Sequence, residues 1–332
     1  HICLSQPTSL SKWTHYKMEP SEEYLIKHRG CYFATKLITP EGIDSLEEFE
    51  IRDSDVFLAT YPKSGTVWTQ NILSLIFYEG HRNGTEDIVI MDRVPWLEYN
   101  VNNLDLANLS SPRLFFTHLP YYLVPRGLRN RRGKVIYVAR NPKDVMVSYF
   151  YFSKFMIALE TIPDLNTLME RFLSGKGKVS FSDKSSWLDH VRGWYTHRED
   201  FNILFLTFEE MKKDLRSAVL KICNFLGKRL SEKELDSVVE QATFENMKRD
   251  PRANYEFLPD TLVEKSKGQF LRKGTVGDWK KIMTVAQSER FDMALKEEMK
   301  DLPFNCLWDR QNPGEPPSQV NSEPLMTAHS TL

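Results

Sequence analysis

The chain has 332 residues, of which 41% are hydrophobic and 27% charged, and a formal net charge of -1. This composition supports a sizeable core and excludes a disordered chain. The balanced charge excludes a whole-chain field directed at nucleic acid or an anionic membrane, so any anion site must be local.

Cys3, Cys31, Cys223 and Cys306 are far apart and form no CxxC pair. They read as reduced thiols of a cytoplasmic protein rather than as a zinc site or a disulfide framework. No apolar run approaches the ~18 residues of a membrane span. The first residues lack a basic region followed by an apolar core, so they do not read as a secretory signal. Residues 1–23 are expected to be a flexible N-terminal extension, with Met18 as a natural start, and 309–332 a disordered tail rich in turn formers. The stretch 24–308 is expected to be one domain. Asn83-Gly-Thr and Asn108-Leu-Ser are glycosylation sequons that read as ordinary loops here.

Short apolar β-type runs alternate with helical patterns. Strands are predicted over Asp55–Thr60, Arg113–His118, Lys134–Ala139 and Asn202–Thr207. Helices are predicted from Thr66 to Tyr78 and from Pro142, which suits a first helical position. The alternation predicts an α/β fold, a central parallel sheet flanked by helices. In such sheets ligands bind beyond the carboxyl ends of the strands.

The segment Tyr61-Pro-Lys-Ser-Gly-Thr-Val-Trp follows the first strand directly. A helix N-terminus there offers free N–H groups to an anion, and Gly65 lets the backbone come close. Ser64 and Thr66 add hydroxyls, Lys63 a mobile charge and Trp68 a flat surface. The segment is not a Walker A loop, whose lysine follows the second glycine. The strand ending at Ala139-Arg140 places no carboxylate to hold Mg²⁺. The pattern therefore fits a phosphate-bearing ligand without an obligatory metal.

This P-loop-like segment resembles the 5′-phosphosulfate loop of the cytosolic sulfotransferases. Arg272-Lys-Gly-Thr-Val-Gly-Asp-Trp-Lys is similar to that family's RKGxxGDWK signature, and Arg140-Asn-Pro-Lys-Asp-Val-Met-Val-Ser148 to its 3′-phosphate strand and helix. The resemblance runs from about Tyr24 to Trp308. It implies transfer of a sulfuryl group from 3′-phosphoadenosine 5′-phosphosulfate (PAPS) to a hydroxyl or amine of a small acceptor, with no metal. It assigns Lys63, Ser64, Gly65, Thr66, Val67 and Trp68 to the phosphosulfate and adenine side. Arg140, Ser148, Arg272, Lys273 and Gly274 would take the 3′-phosphate, Leu271 would also belong to the cofactor site, and Phe208, Thr243, Phe244 and Met247 would flank the adenine. His118 would be the catalytic base, with Lys63 and Ser148 beside the reacting groups. An imidazole with a pKa near ~6.5 can accept the acceptor's proton at neutral pH.

The chain departs from the family pattern at three places. Phe116 stands where phenol-type members often carry lysine, Phe208 where many carry tyrosine, and Ala242 where threonine is usual. An aromatic acceptor pocket is expected among Tyr32, Phe33, Trp96, Tyr99, Tyr151, Phe152, Tyr255 and Phe257, with Phe33, Trp96, Phe116, His118 and Phe152 foremost. Two other readings are a degenerate nucleotide-binding scaffold and a P-loop nucleotide kinase. Lys280, Thr284, Val285 and Glu289 resemble the family's short dimerisation motif and imply a homodimer, with no nucleic-acid or membrane partner.

Overall fold

The computed structural model describes residues 23–80, 87–173, 186–296 and 298–303. The first 22 residues, the Asn83 sequon and the C-terminal tail lie outside the described residues. The fold begins with a hairpin that the sequence reading does not contain. β1 (Leu25–His28) and β2 (Cys31–Ala34) pair antiparallel, with Leu25 opposite Ala34. Arg29 and Gly30 join them, at φ 48° and 82°. Positive φ at both central residues matches the right-handed twist of the flanking strands.

The four predicted strands are present as β3 (Val56–Thr60), β4 (Leu114–Thr117), β5 (Lys134–Ala139) and β6 (Ile203–Thr207). All pair in parallel, in the order β4-β3-β5-β6. Asp55 and Arg113, predicted as strand residues, fall just before β3 and β4. Their side chains meet instead: Arg113 Nε donates to Asp55 Oδ1 at 2.9 Å, with both residues buried.

Both sheet faces are covered, which is why the strands read as continuous apolar runs rather than alternating ones. Phe57, Ala59, Phe115, Val135 and Tyr137 pack on one side with the helices Pro142–Phe152, Leu165–Leu173, Trp187–Thr196 and Val285–Lys296. Val56, Leu58, Leu114, Ile136 and Val138 pack on the other with Thr66–Phe77, Leu215–Leu226 and Glu232–Gln241. Each fully buried side chain of this size contributes roughly 1.5–3 kcal/mol. The chain runs from β3 to β4 on one side and reaches β5 and β6 on the other. The carboxyl ends of β3 and β5 therefore flank a topological switch point, where such sheets open a crevice.

Candidate active site

β3 ends at Thr60, and the chain turns through Lys63 (φ 69°) and Gly65 (φ 101°) into the helix Thr66–Phe77. The loop thus delivers a helix N-terminus to the crevice. A Cβ on Gly65 would lie 2.9 Å from Phe208 Cδ2, so glycine is required by contact as well as by conformation. Ser64 is fully buried, and its Oγ has no hydrogen-bond partner. A buried hydroxyl without a partner is costly unless a ligand engages it.

Arg140 follows β5 directly. Its Nη1 donates to Lys63 O at 2.9 Å and its Nη2 to Thr275 O at 3.3 Å, while the guanidinium lies 4.2 Å from the Phe208 ring centre. Asn141 caps the helix Pro142–Phe152, with Pro142 in its first turn as predicted. In that first turn, Asp144 accepts from the N–H groups of Gly277 (2.7 Å) and Trp279 (3.1 Å). Asp278, between them, holds Arg272 at 2.6 Å and Lys273 at 2.8 Å. Gly274, at φ 61°, lets this segment pass so close that a Cβ would meet Phe244 Cδ2 at 2.3 Å.

His118 lies one residue beyond β4, across from the end of β3. Its Nδ1 donates to the backbone oxygen of Thr60 at 2.8 Å. That bond fixes the tautomer and leaves Nε2 as the acceptor. The Thr60 hydroxyl is 3.2 Å from the same nitrogen and 2.7 Å from the Thr66 hydroxyl, so His118 and the loop share one hydrogen-bonded chain. Burial lowers the His118 pKa to about 4, against the Thr60 bond, which raises it, and with help from the Lys63 charge. The imidazole is therefore neutral at physiological pH. Lys63 is lowered to about 7 by burial and by the charges of Arg140 and Arg272. Its ammonium rests 4.0 Å from the Phe152 ring centre and 5.3 Å from that of Phe270.

These side chains face one cavity. It is lined by Lys63, Gly65, Thr66, Val67, Trp68, Arg140, Ser148, Phe208, Phe244, Met247 and Leu271 to Gly274, and also by Trp96, Phe116, His118 and Phe152. The lining combines the cations of Lys63, Arg140, Arg272 and Lys273 with aromatic and aliphatic groups. A sulfotransferase-domain family model matches residues 53–303, most of the chain. This chain belongs to the sulfotransferase family. It is 55% identical over 294 residues to the amine sulfotransferase of Oryctolagus cuniculus, covering 88% of this chain and 96% of that one. It is 41% identical to sulfotransferase 2B1 of Rattus norvegicus, covering 86% and 82% respectively. The solved structure of mouse sulfotransferase SULT7A1 complexed with PAP superposes with a TM-score of 0.71 at 29% identity, over 86% of this chain and 98% of that one.

In this sulfotransferase three of the expected site residues do not line the cavity. Ser64 is fully buried. Thr243 caps the helix Phe244–Arg249 by accepting from Asn246 N. Phe33 packs in the core, because β2 alternates and turns its neighbour Ala34 to the cavity instead. Of the wider aromatic set, Tyr99 and Tyr255 join the lining, whereas Tyr32, Tyr151 and Phe257 do not. The departures from the family pattern have local explanations. Phe208 packs on Trp68, with ring centres 5.3 Å apart, and Ala242 is fully buried and acts through its backbone oxygen, which accepts from Trp68 Nε1 at 2.7 Å.

Two residues near His118 carry no motif in the sequence. Glu98 Oε1 accepts from the His118 N–H at 2.7 Å. Burial pushes the Glu98 carboxyl up to about 7, although the bond from the His118 N–H pulls it down. His190, on the helix Trp187–Thr196, approaches the same stretch of backbone from beneath. A sequence signal for His190 exists: it lies on the apolar stripe of Trp187, Val191 and Trp194, where a polar group must find a partner.

Proposed function

We propose that the cavity binds PAPS at its cationic end and a neutral, lipophilic amine or hydroxyl compound at its apolar end. The observation that carries this reading is His118, held with its free Nε2 in the same cavity as Lys63. The PAP held by the mouse neighbour supports the donor. The donor end fits a bisphosphate: the partnerless Arg140 Nε leaves a polar group for it, and the glycines at 65 and 274 leave close backbone approach. Arg140, Ser148, Arg272 and Lys273 are assigned to the 3′-phosphate, and Lys63, Ser64, Gly65 and Thr66 to the phosphosulfate.

PAPS supplies the sulfuryl group. His118 Nε2 takes the proton of the acceptor's O–H or N–H, and the freed electron pair forms the new bond to sulfur. The bond from sulfur to the phosphate oxygen breaks, and Lys63 stabilises the negative charge left there. An ammonium has no electron pair to give, and Lys63, Arg140 and Arg272 disfavour a cation nearby. The reading therefore selects amines that are neutral at pH 7, such as arylamines. The likeness to the rabbit amine sulfotransferase supports placing amines ahead of alcohols. The enzyme is read as a cytoplasmic homodimer that joins through Lys280, Thr284, Val285 and Glu289.

The test uses His118→Ala with PAPS and an arylamine. Transfer should fall about 10²–10⁴-fold, while affinity for adenosine 3′,5′-bisphosphate stays within about twofold. Retained transfer would remove His118 from the mechanism.

A further inference from the structure

Beyond Thr117 the backbone leaves the sheet and loses its strand partners, yet every backbone polar group of His118 and Leu119 is held by a side chain. His118 N donates to Glu98 Oε1 at 2.7 Å, and Leu119 N to Thr117 Oγ1 at 3.1 Å. The carbonyl oxygens of His118 and Leu119 are each 3.2 Å from His190 Nε2, and Leu119 O also accepts from Trp194 Nε1 at 3.2 Å.

The orientation of His190 is settled by its other nitrogen. Tyr137 OH lies 2.8 Å from Nδ1, and an Nε2 that faces two carbonyls must carry the proton. The phenol therefore donates to Nδ1 and Nε2–H donates to the backbone. Burial lowers the His190 pKa to about 3, so this neutral tautomer persists across the physiological range. Tyr61, the first residue after β3, sets its ring edge-on to the same imidazole, with centres 5.6 Å apart. His190 thus touches β5, the phosphate-type loop and the end of β4 together.

We infer that Glu98 and His190 are positioning residues that clamp the His118 peptide, one through its N–H and the other through its C=O, and so hold the imidazole at its working distance from the acceptor. The inference rests on the reading of His118 as base. Without the clamp the residue after β4 would have the freedom of a loop. A displacement of about 1 Å at a reacting group can cost 10²-fold in rate. Neither residue lines the cavity, so their loss should act on turnover and leave ligand affinity in place.

Glutamine separates this role from general packing. At position 190 its amide nitrogen replaces Nε2–H toward the carbonyls, whereas asparagine reaches only the Tyr137 side. At position 98 glutamine keeps an oxygen for the His118 N–H and resembles the protonated carboxyl, whereas leucine keeps none. Transfer from PAPS to an arylamine and the Kd for adenosine 3′,5′-bisphosphate are measured for Glu98→Leu, Glu98→Gln, His190→Asn, His190→Gln and His118→Ala. Glu98→Leu and His190→Asn should each lower kcat by about 10²-fold, with KM and Kd within about twofold. The glutamine variants should keep the greater part of kcat. An inactive His118→Ala beside near-normal Glu98→Leu and His190→Asn overturns the clamp and leaves the base intact. Equal losses in the glutamine variants, or losses carried by Kd, reduce both residues to packing and also overturn it. An active His118→Ala removes the base itself, and the clamp's purpose with it. If one substitution prevents folding, as circular dichroism would reveal, the pair at the other position decides.

Discussion

Lys63 combines three pressures in one side chain: a left-handed backbone, two aromatic rings under its ammonium, and two arginines that repel its charge. With its pKa lowered to about 7, much of it is neutral at neutral pH. A phosphosulfate or phosphate placed beside it restores the charge, so donor binding should take up a proton. Below the lowered pKa the charge is already present and its contribution is complete. As pH rises above it the free enzyme loses that proton and affinity falls, by at most about tenfold per pH unit for one linked proton. Calorimetry with adenosine 3′,5′-bisphosphate between about pH 7 and 9 measures this slope, and in Lys63→Met it should vanish. A slope unchanged in Lys63→Met would place the titrating group elsewhere. His118 behaves oppositely: neutral down to about pH 4, it gives no reason for activity to collapse as pH falls through the ordinary histidine range.

At the scale of elements, the start of the sheet depends on one ion pair. Asp55 and Arg113 join the entries of β3 and β4 with side chains almost wholly out of water. Asp55 also accepts from Arg52 N at 2.8 Å. Removing one partner leaves the other charge buried, which typically costs 3–5 kcal/mol. Asp55→Ala should therefore lower unfolding stability by about 3–5 kcal/mol in a denaturant titration, and a loss below about 1 kcal/mol would show that water reaches Arg113. The strands were legible in the sequence because they are short apolar runs bounded by turns, and Gly65 and Pro142 marked two helix starts. The parity of β2 was not legible. Phe33 was expected in the pocket from its position in the resembling segments, and Cys31-Tyr-Phe-Ala has no clean alternation to correct that, whereas pairing with β1 turns Ala34 and Leu25 inward. Glu98 and His190 were missed for another reason. Their partners are distant in sequence, and the contacts that bear on His118 are to its backbone, which leaves no residue-type signature at the other end.

For the whole molecule, the helix Val285–Lys296 presents Val285 and Met293 outward, 75% and 73% exposed, with Glu289 midway on the same face. Sedimentation should find a concentration-dependent dimer, and Val285→Glu an active monomer, because burying two like charges is costly. The same mass for both proteins would reject this surface. The apolar lining of the cavity is gathered from separate stretches of chain: the first hairpin with Leu25 and Ala34, the segment around Trp96, the helix bearing Phe152, and the loop with Tyr255 and Phe270. The loop that would receive the donor and the histidine that would receive the proton extend from β3 and β4, which are hydrogen-bonded neighbours with Ala59 opposite Thr117. Sheet geometry fixes the spacing of the two strand ends that carry them at one inter-strand step of about 4.8 Å. The sheet thus acts as a ruler built into the backbone: loop changes can refit the mould around new acceptors while the span between donor and base stays the same.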